Sequence, residues 1–424
     1  MASSLESLPT EILYQIISYL CPHYQGRYRI LVLSTISLKP ISPVSKACRR
    51  LREVAQPILF HYFYHYGAQE QGRLVSFLHA LTSRPDLTRA VSILQFMHYD
   101  DENLTESDRT LIETCVAGVG LPPLPPESCC PNLEALSFST DLECPIDLFP
   151  SFPIALPTPI SFPRLHRLSI GCISHRDVAA LLEAAPNLRE LYIPRLEGFE
   201  SNRAHFPAWR YLRKLKLASD TYHPSFLKSI IAACPQLQSF GLELRAFDND
   251  TSNESASTTD VWAALPRAKD TLQEIIVEID PDIPLKLLGD RNISSLQHFR
   301  ALKALGINGY IWHGLQQTWT QRNGYYDLDQ FVAELFPPTL KKLLILNTGS
   351  PIPVGLLALA RCVSQGLYPR LTMVEVEYSD HFSSGQESQR AWYNMRASLE
   401  TEFDKAGVSF SLDIEEGFGY FLVD

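Results

Sequence analysis

The pattern Leu-x-x-Leu-x-Leu recurs along this chain, and the recurrence constrains the fold more than any other feature. Clear versions begin at Leu133, Leu165, Leu188 and Leu212, and looser ones at Leu237, Leu272, Leu302, Leu340 and Leu371. The intervals from Leu165 to Leu188, to Leu212 and to Leu237 are 23, 24 and 25 residues. Within the clear units the last positions alternate apolar and polar, which is the period of a strand with one buried face. Proline opens several units, at Pro131, Pro163, Pro186, Pro235 and Pro369, where it ends the preceding segment and forces an extended lead into the strand. Between strands lie stretches with helical spacing: Val178, Leu181, Leu182 and Ala185; Phe226, Leu227, Ile230, Ile231 and Cys234; Trp392, Met395, Leu399 and Phe403, closed by Gly407. A strand that returns through a helix pairs parallel with its neighbour.

These periods fall in the range of leucine-rich repeats. The fold class expected is therefore α/β: a solenoid with a curved parallel sheet on its inner face and outer helices. It occupies residues 87–424, with insertions in the later repeats and a C-terminal capping unit. A helical linker is expected over 67–86, including a helix over 72–83 stopped by Pro85, and a separate helical module over 1–66. The aromatic-rich run 58–66 is read as the join. The runs 121–126 and 145–163 are rich in proline, and 248–259 reads as a polar loop.

Strand alternation also names a binding face. The residues flanking the inward leucines point to the sheet's open face, which places Arg167, Ser169, Glu190, Tyr192, Lys214 and Lys216 on its early part. Glu243, Glu274, Glu278, Glu375 and Glu377 fall on its later part. A face of two signs can read a partner of complementary charge, against the plainer reading of ordinary solvent-facing positions. The insertion after Ile307, carrying Tyr310, Trp312 and Trp319, is a second candidate surface because Trp and Tyr are favoured interface anchors. Covering the end of a core is its plainer reading.

The first sixty residues carry a different signal. Leu8, Ile12, Ile16, Tyr19 and Leu20 share one helical stripe, widened by Leu13 and Ile17, and Pro9 stands at the helix start. A second helix is expected from about Pro43 to Phe60, mixing Val44, Cys48, Leu51, Ala55, Leu59 and Phe60 with Lys46, Arg49, Arg50 and Arg52. Together with Glu11 and Ser45, these residues resemble an F-box over about a seventh of the chain, with a longer gap between its halves than is usual. An F-box followed by leucine-rich repeats resembles the substrate-receptor subunit of an SCF-type ubiquitin ligase. That resemblance implies a Skp-family adaptor bound through Leu8, Pro9, Ile12, Ile16, Leu20, Val44, Cys48, Leu51, Leu59 and Phe60. It also implies cullin reached through the adaptor, and an unknown protein substrate held by the repeats. Arg167, Tyr192, Lys214, Lys216, Glu243, Glu274, Tyr310 and Trp312 are the candidate substrate contacts. A non-ligase interaction scaffold is the alternative from another class.

Enzyme chemistry has no positive support in the sequence. A nucleophile elbow, a phosphate-cradling glycine loop, a His-Glu-x-x-His motif and a dinucleotide fingerprint are all missing. Nine cysteines form no Cys-x-x-Cys pair, so buried thiols in a reducing compartment are expected rather than zinc or disulfides. His61 and His65 are four apart without a third ligand, which favours packing over metal. No cofactor is expected. A net charge of -10 opposes general nucleic-acid binding. Neither a leader peptide nor a spanning segment is expected, and the location anticipated is cytoplasmic and/or nuclear.

Overall fold

A computed structural model of the protein describes residues 8–20, 41–66, 76–77, 80–81, 84–98, 131–140, 162–170, 172–173, 185–193, 195–196, 208–219, 224–244, 262, 264–279, 295–323, 327–346, 352–379 and 386–415. The two proline-rich runs up to residue 161, the polar loop 248–259, most of the expected helix 72–83 and the stripe of Val178, Leu181 and Leu182 lie outside the described residues. Two compact units divide the chain, Met1–Tyr192 and Ile193–Asp424.

Among the described residues the first unit begins with three helices. Helix α1 (Thr10–Tyr19) starts after Pro9, whose carbonyl accepts from the amides of Ile12 and Leu13. The single second helix expected from Pro43 to Phe60 is instead two, α2 (Ile41–Ala47) and α3 (Arg49–His61). Cys48 separates them: its backbone is extended, and its Sγ accepts from the Leu51 amide at 3.4 Å, so it caps α3. Leu13 and Ile17 of α1 bury against Leu51, Val54, Ala55 and Ile58 of α3. The Arg50 Nη2 donates to the Leu8 carbonyl at 2.6 Å, fixing the lead into α1.

Strand β1 (Tyr62–Tyr66) follows α3 without a linker. The aromatic run is therefore the first strand of a sheet as well as a join. β1, β2 (Ile93–His98), β3 (Ala135–Thr140), β4 (Arg167–Ile170) and β6 (Glu190–Ile193) pair parallel in chain order; β5 (Cys172–Ile173) is a two-residue strand beyond β4. The turns explain Pro-Asn-Leu. Asn132 Nδ2 donates to the Arg89 carbonyl at 2.7 Å and Asn187 Nδ2 to the Pro163 carbonyl at 2.8 Å, so each asparagine ties its turn to the previous one.

In the second unit, after the two-residue β7 (Arg195–Leu196), run β8 (Lys214–Ser219), β9 (Ser239–Leu244), β10 (Glu274–Ile279), β11 (Ala304–Asn308), β12 (Lys342–Leu346), β13 (Met373–Ser379) and β14 (Ser409–Glu415). Consecutive strands from β8 to β14 pair parallel, and each of β8 to β13 carries one motif. This is the arrangement of a repeat solenoid. Helices α4 (Pro224–Ala233), α5 (Gly309–Asn323), α6 (Leu328–Leu335), α7 (Ile352–Ser364) and α8 (Gln386–Lys405) lie between strands. Gly407, at φ 72°, turns the chain from α8 into β14, a backbone angle that suits glycine. The motif leucines form the core: Leu212, Leu237, Leu272, Leu302 and Leu340 are each fully buried.

Among the described residues no helix is long and apolar enough to cross a membrane.

Candidate functional site

Helix α1 carries two apolar stripes, and packing uses one. One residue step turns a helix by about 100°, so Ile12 and Ile16 lie one step round from Leu13 and Ile17. Leu13 and Ile17 are 0% and 2% exposed, whereas Ile12, Ile16 and Leu20 are 40%, 40% and 39% exposed. Five of the eight exposed large apolar side chains among the described residues, Tyr14 and Tyr19 included, lie on this helix and its cap. Of these, Ile12, Ile16, Tyr19 and Leu20 fall on one side of the helix, and large apolar residues gathered on one exposed patch mark an interaction surface.

The structure thus divides the ten residues named for an adaptor. Pro9, Ile12, Ile16 and Leu20 are exposed, and Leu51 belongs to the helical core. Leu8, Val44, Cys48 and Leu59 are half-buried against that core. Phe60 stacks on Phe77 at 5.4 Å. The sequence pattern could not make this division, because both stripes of α1 are apolar.

On the strands, Arg167, Glu190, Tyr192, Lys214, Lys216, Glu243 and Glu274 occupy the more exposed positions that alternate with buried ones. Their charges are largely answered within the sheet. Arg167 Nε meets Glu190 Oε2 at 3.2 Å, Lys216 Nζ meets Glu243 Oε2 at 3.7 Å, and Lys342 Nζ meets Glu375 Oε2 at 2.7 Å. Ser239 Oγ donates to Glu274 Oε2 at 2.5 Å. These are cross-strand pairs between neighbouring repeats, a stabilising feature of a sheet, and they lower the net field that the face presents. Along the middle of the second unit's sheet, Lys216, Gly241, Ile276, Gly306, Leu344 and Glu375 are successive register partners. Gly241 leaves room for the Lys216 stem and Gly306 for Ile276, since a Cβ there would meet those side chains at 3.1 and 3.2 Å.

The insertion after Ile307 is helix α5. Trp312 is 1% exposed and packs among Phe331, Phe336 and Gly355 in the helical layer, so it is a core side chain. Trp319 Nε1 donates to Glu334 at 2.9 Å. The side chain of Tyr310 lies outside the described residues.

Among the described residues no group of three or more His, Cys, Asp or Glu could hold a metal ion. His61 ends α3 while His65 sits in β1, so the two share no helix face. Burial lowers the His61 pKa from 6.5, against the opposing pull of Glu134. Sequence reading also passed over the residue after the first leucine of each motif, whose side chains gather along one edge of the second unit's sheet.

No family model matches this chain, and no curated protein matches it. Among solved structures, the chain is similar to the crystal structure of a Bacteroides fragilis protein, a structural-genomics target. The identity is 12% and the TM-score 0.37, with 87% of this chain and 78% of that chain covered.

Proposed function

We propose that the N-terminal helices are an F-box that docks a Skp-family adaptor, and that the repeats hold a protein substrate for an SCF-type ubiquitin ligase. The observation that carries this reading is α1 itself: Leu13 and Ile17 satisfy the packing on α3, yet Ile12, Ile16 and Leu20 remain exposed beside them. Exposing apolar area costs roughly 25 cal/mol per Å² relative to burying it, so a partner that covers this stripe gains what folding leaves unused. Pro9 and half-buried Leu8 extend the stripe at its start.

Mechanistically, such a subunit contributes no reacting group. It holds the substrate beside the conjugating enzyme carried on the cullin, and effective concentration does the rest. Solenoid strands present many side chains at fixed spacing, which suits protein recognition.

The test is co-purification of a Skp-family adaptor and cullin with the full chain. Wild-type protein captures both, and Ile12→Glu with Ile16→Glu captures neither while melting as wild type does. Undiminished capture by that variant contradicts the reading. Point variants serve better than removal of residues 1–66, because β1 belongs to the sheet. Capture of adaptor without cullin, with bound partners that do not accumulate under proteasome inhibition, marks the scaffold alternative.

A further inference from the structure

We propose that the N-terminal edge of the second unit's sheet docks an acidic, extended segment of a partner protein. The turns that lead into β8 to β13 place Arg213, Lys269, Arg300, Lys303, Lys341 and Arg370 along this edge, all exposed. Asp270 is the one carboxylate among the described residues of those turns. The chain as a whole carries 47 acidic residues against 37 basic ones, so a run of bases this unbalanced is a local concentration.

Backbone hydrogen bonds set the spacing of Arg213, Lys303 and Lys341. The amide of Gln238 donates to the Arg213 carbonyl, that of Gln273 to Gln238, that of Lys303 to Gln273, that of Lys341 to Lys303, and that of Thr372 to Lys341. The residue after each first leucine therefore stacks on its neighbour at the strand spacing of about 4.8 Å. Lys303 and Lys341 are adjacent in this ladder. Like charges on adjacent rungs repel, and an anion laid across them relieves the repulsion.

Several exposed bases elsewhere in the described residues pair with carboxylates: Arg49 with Glu53, Arg84 with Asp86, Arg361 with Asp329, Arg396 with Glu400 and Lys405 with Glu402. On this edge, Arg213, Lys269, Arg300, Lys341 and Arg370 make no ion pair among the described residues, and Lys303 Nζ donates to the neutral Gln273 Oε1 at 2.8 Å.

A second observation selects a protein. Two of the three exposed large apolar side chains outside α1 lie on the same edge, Tyr211 at 54% exposure before β8 and Leu367 at 43% before β13. Five strand steps separate them, or about 24 Å, which an extended chain crosses in about seven residues. Aromatic and apolar anchors flanking a charged stretch suit a polypeptide. A nucleic acid fits less well, since a single row of bases on a chain of net charge -10 repels a long polyanion beyond the row.

The inference names the chemistry of the substrate and rests on the reading that the repeats hold a protein. It is tested on the full chain by fluorescence anisotropy with a fluorescein-labelled peptide of alternating glutamate and serine ended by leucines. Lys303→Glu with Lys341→Glu is expected to weaken binding by about tenfold or more, with wild-type melting. Arg49→Glu with Arg396→Glu changes the net charge equally and leaves binding unaltered. Tyr211→Ser weakens binding without changing its salt dependence. Failure of the wild-type chain to bind the peptide, equal binding by the edge variant, or preference for a single-stranded oligonucleotide of the same charge each overturns the inference. Adaptor capture, read on the same preparations, reports on α1 alone, so the two readings fail separately.

Discussion

Gly355 of α7 lies so close to Trp312 of α5 that a Cβ at this position would stand 2.8 Å from the indole Nε1. The glycine is what lets α7 approach the buried ring, which also meets Phe336 at 5.5 Å and Phe331 edge-on at 6.2 Å. Gly355→Ala is expected to destabilise the protein by about 1–3 kcal/mol through overpacking, measured by denaturant unfolding. Adding Trp312→Leu to that variant gives less than the sum of the two single losses, because the second change vacates the space the methyl needs.

The two stripes of α1 separate stability from docking. Leu13→Ala removes a fully buried side chain and is expected to cost about 2–5 kcal/mol. Ile16→Glu, at an exposed position of the same helix, changes stability by no more than about 0.5 kcal/mol. Thermal melting of the pair checks both values.

Acid is expected to loosen the junction of α3 with β1. Burial holds the folded His61 pKa below 6.5, so the folded state binds its proton more weakly than the unfolded chain does. The stability contributed is full above the unfolded pKa and lost as pH falls through the folded one. Melting temperature therefore declines below pH 6.5, and His61→Gln flattens that decline.

Base acts on the buried thiols with the opposite sign. Burial drives the Cys234 thiol strongly upward and pushes Cys362 up to about 11. The Cys234 Sγ donates to the Ile230 carbonyl at 3.1 Å and the Cys362 Sγ to the Asp329 backbone carbonyl at 3.4 Å. Their contribution is present below the unfolded thiol pKa of about 8.5 and is lost as pH rises through the folded values. Neither thiol is expected to react with iodoacetamide in the native protein at mildly alkaline pH, because the thiolate is the nucleophile. Both react after unfolding, which peptide mass mapping detects.

Much of the sheet was legible because burial and strand period coincide. Leu215, Leu217, Leu242, Ile275, Val277 and Leu305 read as inward positions and are inward. The break at Cys48 was not legible, since a capping cysteine looks like one more apolar position in a helical run. Trp312 misleads for a related reason: an aromatic after a strand reads equally as an exposed anchor or as the core of the next helix. Only the meeting with Gly355, 43 residues later in the sequence, decides it. The basic edge escaped notice because its members are spread over separate repeats and converge through strand register. Charge pairs such as Lys342 with Glu375 escaped for the same reason.

Isothermal titration of the full chain with a purified Skp-family adaptor tests the adaptor-docking role most directly. Wild-type protein is expected to bind, Leu13→Ala to bind in proportion to its folded fraction, and Ile12→Glu with Ile16→Glu to show no binding while fully folded. Wild-type affinity in the double variant, or no heat with the wild-type chain, would contradict that role for α1.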